Sequence, residues 1–172
     1  MASENIIVSP AFERCTVLLV EDNEDDIIIM QNCFAKAGVP NPVQSVSDGE
    51  QAIAYLKGKP PFDDRQQYPF PIVVFLDLNM PKKNGLEVLA WIRGQPELKG
   101  LIVNVLTASV RATDVERAFE LGANSYLIKP SRFDVLVEMI KAWHAMARRS
   151  AFSFHEPEFA EAAKKPEHQH HA

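Results

Sequence analysis

Ile72-Val73-Val74-Phe75-Leu76-Asp77-Leu78-Asn79-Met80-Pro81 is the stretch on which the fold turns. A run of apolar, mostly strand-favouring side chains ends in one carboxylate. Pro81 has no backbone N–H to give a continuing strand. A buried strand therefore carries Asp77 at its C-terminal edge. In open parallel α/β sheets, ligands bind outside that edge.

Similar short runs lie on either side. Residues 15–20 form the first expected strand, apolar on both faces as a central parallel strand should be, and Glu21-Asp22 follow it. Residues 43–46 form a second. Residues 101–106 form a fourth, followed by Thr107-Ala108-Ser109, and residues 124–128 a fifth, followed by Lys129-Pro130. Between them lie helix patterns. Asn23-Glu24-Asp25-Asp26 offers N-caps and negative charge for a helix running to about residue 37, with Gly38 as its stop. Helices are also expected over 50–56, 86–93 and 113–121. Ser131 is a candidate cap for a last helix, with Leu136, Val137, Ile140 and Trp143 or His144 on one face. Five alternations predict an α/β fold: a doubly wound, five-stranded parallel sheet of the flavodoxin-like kind. The strand order 2-1-3-4-5 is adopted from known sheets of this type. It sets strands 1 and 3 side by side at the switch point.

The chain has 172 residues, 47% hydrophobic and 24% charged, which fits one globular domain with tails. Its formal net charge of −5 argues against general binding to nucleic acid or to an anionic membrane. Cys15 and Cys33 sit in apolar contexts and read as reduced thiols. There is no secretory leader pattern and no 18-residue apolar run, so the expected location is the cytoplasm. We divide the chain into an N-terminal arm (1–14), the domain (15–149) and a C-terminal tail (150–172). In the arm, Ile6-Ile7-Val8 and Phe12 are candidates to pack on the body or on a second chain. In the tail, Phe152, Phe154 and Phe159 alternate with acids, and His168, His170 and His171 read as a solvated end. Residues 58–71 contain four prolines and are expected to be an unusually long loop.

In the first long helix, Ile27, Ile28, Ile29 and Met30 are consecutive. At about 100° per residue they cannot all face the core. With Met30, Cys33 and Ala37 buried and Ile29 beside them, Ile27 and Ile28 are expected to point outward as an apolar docking surface.

The strand ends gather Glu21, Asp22 and Asp77 with the Thr107 hydroxyl and the Lys129 ammonium. Three carboxylates in one crevice call for a cation. A hard divalent ion such as Mg²⁺ suits acid oxygens plus the backbone carbonyl of Asn79. An aspartate beside such an ion and a lysine can attack phosphorus and form an acyl phosphate. Among the strand-end residues, no His, Cys or Ser is placed as a nucleophile with a partner base.

At Val20-Glu21-Asp22, Leu76-Asp77-Leu78-Asn79-Met80-Pro81, Leu106-Thr107-Ala108-Ser109 and Tyr126-Leu127-Ile128-Lys129-Pro130, the chain resembles the receiver domain of bacterial two-component response regulators. The resemblance covers about residues 15–146. It implies that Asp77 is the phosphoacceptor, and that Asp22, Asp77 and the Asn79 carbonyl hold Mg²⁺, with Mn²⁺ as an alternative. Glu21 stands at the first acidic position, and its longer side chain is expected to act through water. Thr107 and Tyr126 resemble the switch pair, and Lys129 the lysine that pairs with the phosphoryl group. The switch would act on the face made by the helix over 113–121, the fifth strand and the last helix. Implied partners are a sensor histidine kinase, contacted through Ile27 and Ile28, a histidine phosphotransfer protein and a second copy of the chain. The long proline-rich loop is similar to that of single-domain regulators that partner phytochrome-type kinases, and no output domain is expected after the last helix. A receiver is not an enzyme acting on a separate substrate. The competing readings are a haloacid-dehalogenase-type phosphatase and an unphosphorylated scaffold. The phosphatase requires a general acid two residues after the nucleophile, where this chain has Asn79. The scaffold leaves the acidic set and Lys129 without a purpose.

Overall fold

The computed structural model describes residues 10–150. Five strands form one parallel sheet in the order β2-β1-β3-β4-β5, as expected: β1 (Thr16–Val20), β2 (Val43–Val46), β3 (Pro71–Leu76), β4 (Ile102–Thr107) and β5 (Ser125–Ile128). Six helices surround it: α1 (Pro10–Arg14), α2 (Glu24–Lys36), α3 (Gly49–Lys57), α4 (Gly85–Gly94), α5 (Ala112–Glu120) and α6 (Phe133–Ser150). The central strands β1 and β3 are buried along their whole length, and the edge strands β2 and β5 only in part. This gradient explains why the central strands lack the alternation of a half-exposed strand.

Successive side chains of a strand leave the sheet on opposite faces. Leu18, Val20, Val74, Leu76, Val103 and Val105 pack against α3, α4 and α5. Val17, Leu19, Val73, Phe75 and Leu106 pack against α2 and α6. On that second face Phe75 meets Phe34 and Trp143 edge-on, with centroids 5.5 and 4.9 Å away. Each such pair adds about 0.5–1.5 kcal/mol beyond area burial. Phe12 of α1 also enters this core. The Asn41 amide fastens α1 by donating to the carbonyls of Phe12 (2.7 Å) and Cys15 (3.0 Å). The expectations for residues 1–9, including Ile6-Ile7-Val8, and for 151–172, including Phe152 and His168, lie outside the described residues.

The burial of α2 corrects the helical wheel. Ile27, not Ile29, packs against the core beside Met30, Cys33 and Phe34. Ile28 and Ile29 are the exposed pair, at 55% and 41%. Met30 and Cys33 of the expected stripe are buried, and Ala37 is partly buried against the same core. The buried bulk is Phe34, which sits seven residues from Ile27 and therefore on the same face.

The expected loop over 58–71 is a loop over 58–70, since Pro71 opens β3, and it has a core of its own. Phe62 and Tyr68 pack on Tyr55 of α3, with centroids 5.3 and 6.0 Å away. The Arg65 guanidinium donates to the carbonyls of Leu56 (3.0 Å) and Tyr68 (3.1 Å) and lies over the rings of Tyr55 and Phe70.

The register brings the strand ends level. Val20 faces Val46 on one side and Leu76 on the other, Leu76 faces Val105, and Thr107 faces Ile128. The ladder continues one residue further: Glu21 N–H donates to Val46, Asp77 N–H to Val20 and Lys129 N–H to Thr107. The backbone itself thus places the residues that follow β1, β3 and β5. No described helix is long and apolar enough to cross a membrane.

Candidate functional site

Glu21, Asp22 and Asp77 each present a carboxylate oxygen to one point, all within 4.8 Å of one another. Glu21 and Asp77 are buried and Asp22 is exposed. Lys129 closes the site from β5. Its Nζ donates to Glu21 Oε2 and to Asp26 Oδ2 (3.2 Å) and lies 3.6 Å from Asp77 Oδ2. The expected site residues of β1, β3 and β5 therefore do converge.

Glu21, expected at the first acidic position and to act through water, has its carboxylate in the cluster and is among the most deeply buried of the described side chains. Its Oε1 also accepts from the Asn23 N–H (3.1 Å), which turns the longer side chain back toward the loop. Burial raises its pKa and the Asp77 charge adds to that, while Lys129 acts in the opposite direction. For Lys129 burial disfavours the ammonium, but the bond to Glu21 and the charges of Asp77 and Glu21 outweigh it. The lysine pKa lies above its ordinary value.

Three carboxylates against one ammonium leave two negative charges uncompensated in a largely buried place. Oxygen-only donors of this charge suit a hard divalent cation. Asp77, Asp22 and Glu21 are the side chains that would hold it. The Asn79 N–H leans back toward Asp77 Oδ1 at 3.4 Å.

The loop after Asp77 is clamped. Gly85 opens α4 so close to the preceding chain that an added Cβ would lie 2.2 Å from the Asp77 carbonyl oxygen. Asn84 and Glu87 form a reciprocal capping box there. On the other side Lys82, the one non-glycine residue with positive φ among those described, reaches Asp48 Oδ2 at 3.0 Å. Asp48 is buried and caps α3 by accepting from the Gln51 N–H. Its bond to Gln51 and the Lys82 ammonium outweigh burial and lower its pKa.

Thr107 is fully buried at the end of β4, and Tyr126 sits half-buried on β5. Their hydroxyls do not meet. The Thr107 hydroxyl accepts from the Ser109 N–H (3.3 Å), and the Tyr126 hydroxyl donates to the Ser109 carbonyl (3.1 Å). Ile28 lies exposed on α2, the helix that follows Asp22, and Ile27 lies against the core.

Three residues of the site were not expected from sequence. Asp26 was visible only as a helix-start acid, although one helical turn separates it from Asp22. Asp48 precedes Gly49, a pairing that reads from sequence as a turn. Asp114, which binds Ser109, gave no sequence signal, because its partner lies five residues earlier in a loop.

The family model of the response regulator receiver domain matches residues 17–141. Response regulator Rcp1 of Synechocystis is 36% identical over 125 residues, covering 73% of this chain and 83% of Rcp1. The structure of the phosphorylated cyanobacterial phytochrome response regulator RcpA superposes with a TM-score of 0.71 at 35% identity, covering 77% of this chain and 93% of RcpA. The Mn²⁺-bound form of Rcp1 superposes with a TM-score of 0.70 at 33% identity, covering 79% and 96%.

Proposed function

The chain belongs to the response regulator receiver domain family, and from that premise we propose that it accepts a phosphoryl group from a sensor histidine kinase onto Asp77. The observation that carries this is the convergence of Glu21, Asp22 and Asp77 within 4.8 Å, with Lys129 reaching across them. An Asp77 oxygen forms the new bond to phosphorus as the bond from phosphorus to the kinase imidazole nitrogen breaks. The electron pair leaves on that nitrogen. Lys129, already charged and already at Asp77, donates to the incoming oxygens. Thr107 supplies a hydroxyl to the phosphoryl group once it turns away from Ser109. A bound Mg²⁺, with Mn²⁺ as a substitute, supplies charge neutralisation for the phosphoryl oxygens.

The product is a covalent state of the protein, so the chain serves as a switch and not as an enzyme for a separate substrate. Asn79 supports this, since the side chain two residues after Asp77 is an amide and cannot act as a general acid. The kinase is of the phytochrome type in this reading, supported by the likeness to RcpA and by the long packed loop over 58–70. The kinase docks on the exposed part of α2 at Ile28, and the work is done in the cytoplasm. A histidine phosphotransfer protein fits the same docking surface and the same chemistry.

The test is labelling by acetyl phosphate with Mg²⁺, read by intact-protein mass. Wild type should gain one phosphoryl group and Asp77→Asn none. Equal labelling of both would move the acceptor elsewhere and overturn the assignment.

A further inference from the structure

Ser109 is bonded to both residues assigned to the switch. Its N–H holds the Thr107 hydroxyl at 3.3 Å and its carbonyl holds the Tyr126 hydroxyl at 3.1 Å. Neither residue can take up a new position while Ser109 keeps both bonds. Ser109 is in turn held by its own side chain. Its Oγ donates to Asp114 Oδ2 at 2.5 Å and accepts from the Arg111 N–H at 3.4 Å. Asp114 lies in the first turn of α5 and also accepts from Arg111 Nε at 3.0 Å. The loop between β4 and α5 is thus closed by a clasp from a helix to a loop serine.

We propose that Asp114 is a positioning residue that locks the switch in its phosphoryl-free arrangement by clasping Ser109. This rests on the reading of Asp77, Thr107 and Tyr126 given above. The lock acts only in one state. For Thr107 to turn toward Asp77, its bond to the Ser109 N–H must break. For Tyr126 to leave the surface, its bond to the Ser109 carbonyl must break. Moving Ser109 itself releases both together, and the Asp114 clasp opposes that motion.

The bond to Ser109 is also the largest influence on Asp114, and it holds that carboxyl below its ordinary pKa. The clasp therefore depends on an ionised Asp114 at neutral pH. The first turn of α5 carries no other acid and its N-cap Arg111 makes no side-chain capping bond. Asp114 instead accepts from the Ser109 hydroxyl and the Arg111 side chain.

A two-state protein responds to a ligand by the difference in its affinity for the two states. Removing a clasp found in one state raises the population of the other, and with it the rate of every step that starts from the other. Losing one partly exposed charged hydrogen bond should raise acetyl phosphate labelling of Asp77 by about three- to tenfold.

The experiment compares wild type, Asp114→Ala, Ser109→Ala and the double variant. Ser109→Ala leaves Asp114 in place at the start of α5, so it separates the clasp from any effect on the helix. Both single variants should label faster, and the double variant no faster than the quicker single, because both remove the same bond. A second readout is the ¹⁹F signal of 3-fluorotyrosine at Tyr126, assigned by Tyr126→Phe. Without any phosphodonor it should move in both single variants toward its position in the phosphorylated wild type. Unchanged or slower labelling in both variants, with wild type labelled normally, would refute the lock and leave the phosphoacceptor assignment standing. An unmoved fluorotyrosine signal would refute it as well. No labelling of wild type would overturn the phosphoacceptor reading itself, and the lock with it.

Discussion

Gly85→Ala should cost this protein both stability and chemistry, although the added atom is one methyl group. The backbone of Gly85 does not have the positive φ found at Gly38, Gly58 and Gly122, so the cost is spatial and not conformational. The new Cβ would stand 2.2 Å from the Asp77 carbonyl oxygen, 2.8 Å from Leu78 Cα and 2.9 Å from the Asp77 carbonyl carbon. Ordinary C···O contact begins at about 3.3 Å, so the two segments must part by roughly 1 Å. All three obstacles are backbone atoms and cannot rotate away. Overpacking of this kind costs about 1–3 kcal/mol. Parting the segments also stretches the Gly85 N–H bond to the Leu78 carbonyl, now 3.0 Å, which adds about 1 kcal/mol. We expect a total of about 2–4 kcal/mol. Gly94 closes the same helix with nothing within 4 Å of its would-be Cβ, and Gly94→Ala should be neutral or stabilising by up to about 1 kcal/mol. Urea midpoints of the two variants and wild type give the comparison. Labelling by acetyl phosphate, measured where all three are folded, gives the chemical consequence. A shift of about 1 Å at Asp77 should slow it by ten- to a hundredfold in Gly85→Ala alone. If Gly85→Ala and Gly94→Ala have the same midpoint, or if Gly85→Ala labels at the wild-type rate, the argument from close approach fails.

Other substitutions test other parts of the same structure. Lys129→Met leaves Glu21 buried beside Asp77 and should abolish labelling. It should also destabilise the metal-free protein by about 1–3 kcal/mol at neutral pH, because Glu21 and Asp77 then lie buried together without their ammonium; an unchanged urea midpoint would contradict this. His144 is buried against Phe12 and Trp143, and burial followed by the Arg148 charge lowers its pKa from 6.5. The unfolded chain then binds the proton more readily, so this contribution to stability is fully present above about pH 6.5 and is lost as the pH falls below it. His144→Leu should flatten that part of the pH–melting curve, and an unchanged slope between about pH 7 and about pH 5 would refute the point. Ile28→Asp should slow transfer from a cognate kinase at least tenfold, by about 1.4 kcal/mol or more, and leave acetyl phosphate labelling as it was. Ile27→Asp should instead lower stability by about 2 kcal/mol through burial of a charge. Kinase transfer at the wild-type rate by Ile28→Asp would remove the docking face from α2.

Much of the fold could be read from the chain because its central strands are dry on both faces. Residues 72–76 and 17–20 show no alternation, only apolar runs that end in acids, and that pattern places Asp77 and Glu21-Asp22 at one edge. Thr107 and Lys129 followed from the same logic applied to β4 and β5. The ladder bonds of Asp77 to Val20 and of Lys129 to Thr107 give the physical reason that it worked. What periodicity could not decide was the rotation of α2. Four consecutive apolar residues permit two stripes, and the volume of Phe34 against Phe75 and Trp143 selects the one that buries Ile27. The strand order had to be adopted from known sheets, because no residue in a parallel strand names its neighbour. Asp26, Asp48 and Asp114 were hidden for a common reason. Each stands at a helix start, where an acid is already explained by capping and by the helix dipole. Only three-dimensional placement shows their second partners: Lys129, Lys82 and Ser109.

The Lys129 ammonium joins β5 to parts of the protein that β5 does not pair with. β5 does not pair with β1 or β3, yet from its end one ammonium reaches Glu21 after β1, Asp26 in the first turn of α2 and Asp77 after β3. The phosphoryl group proposed for Asp77 would compete for the same three N–H donors, and the partly exposed Asp26 is the partner most easily given up. The first turn of α2 should then exchange its amide hydrogens faster on phosphorylation. News of the covalent state would leave the site by two routes, one through Thr107 and Tyr126 and one through Asp26. The second route ends beside Ile28, so the docking face proposed for the kinase would be loosened by the very transfer it serves.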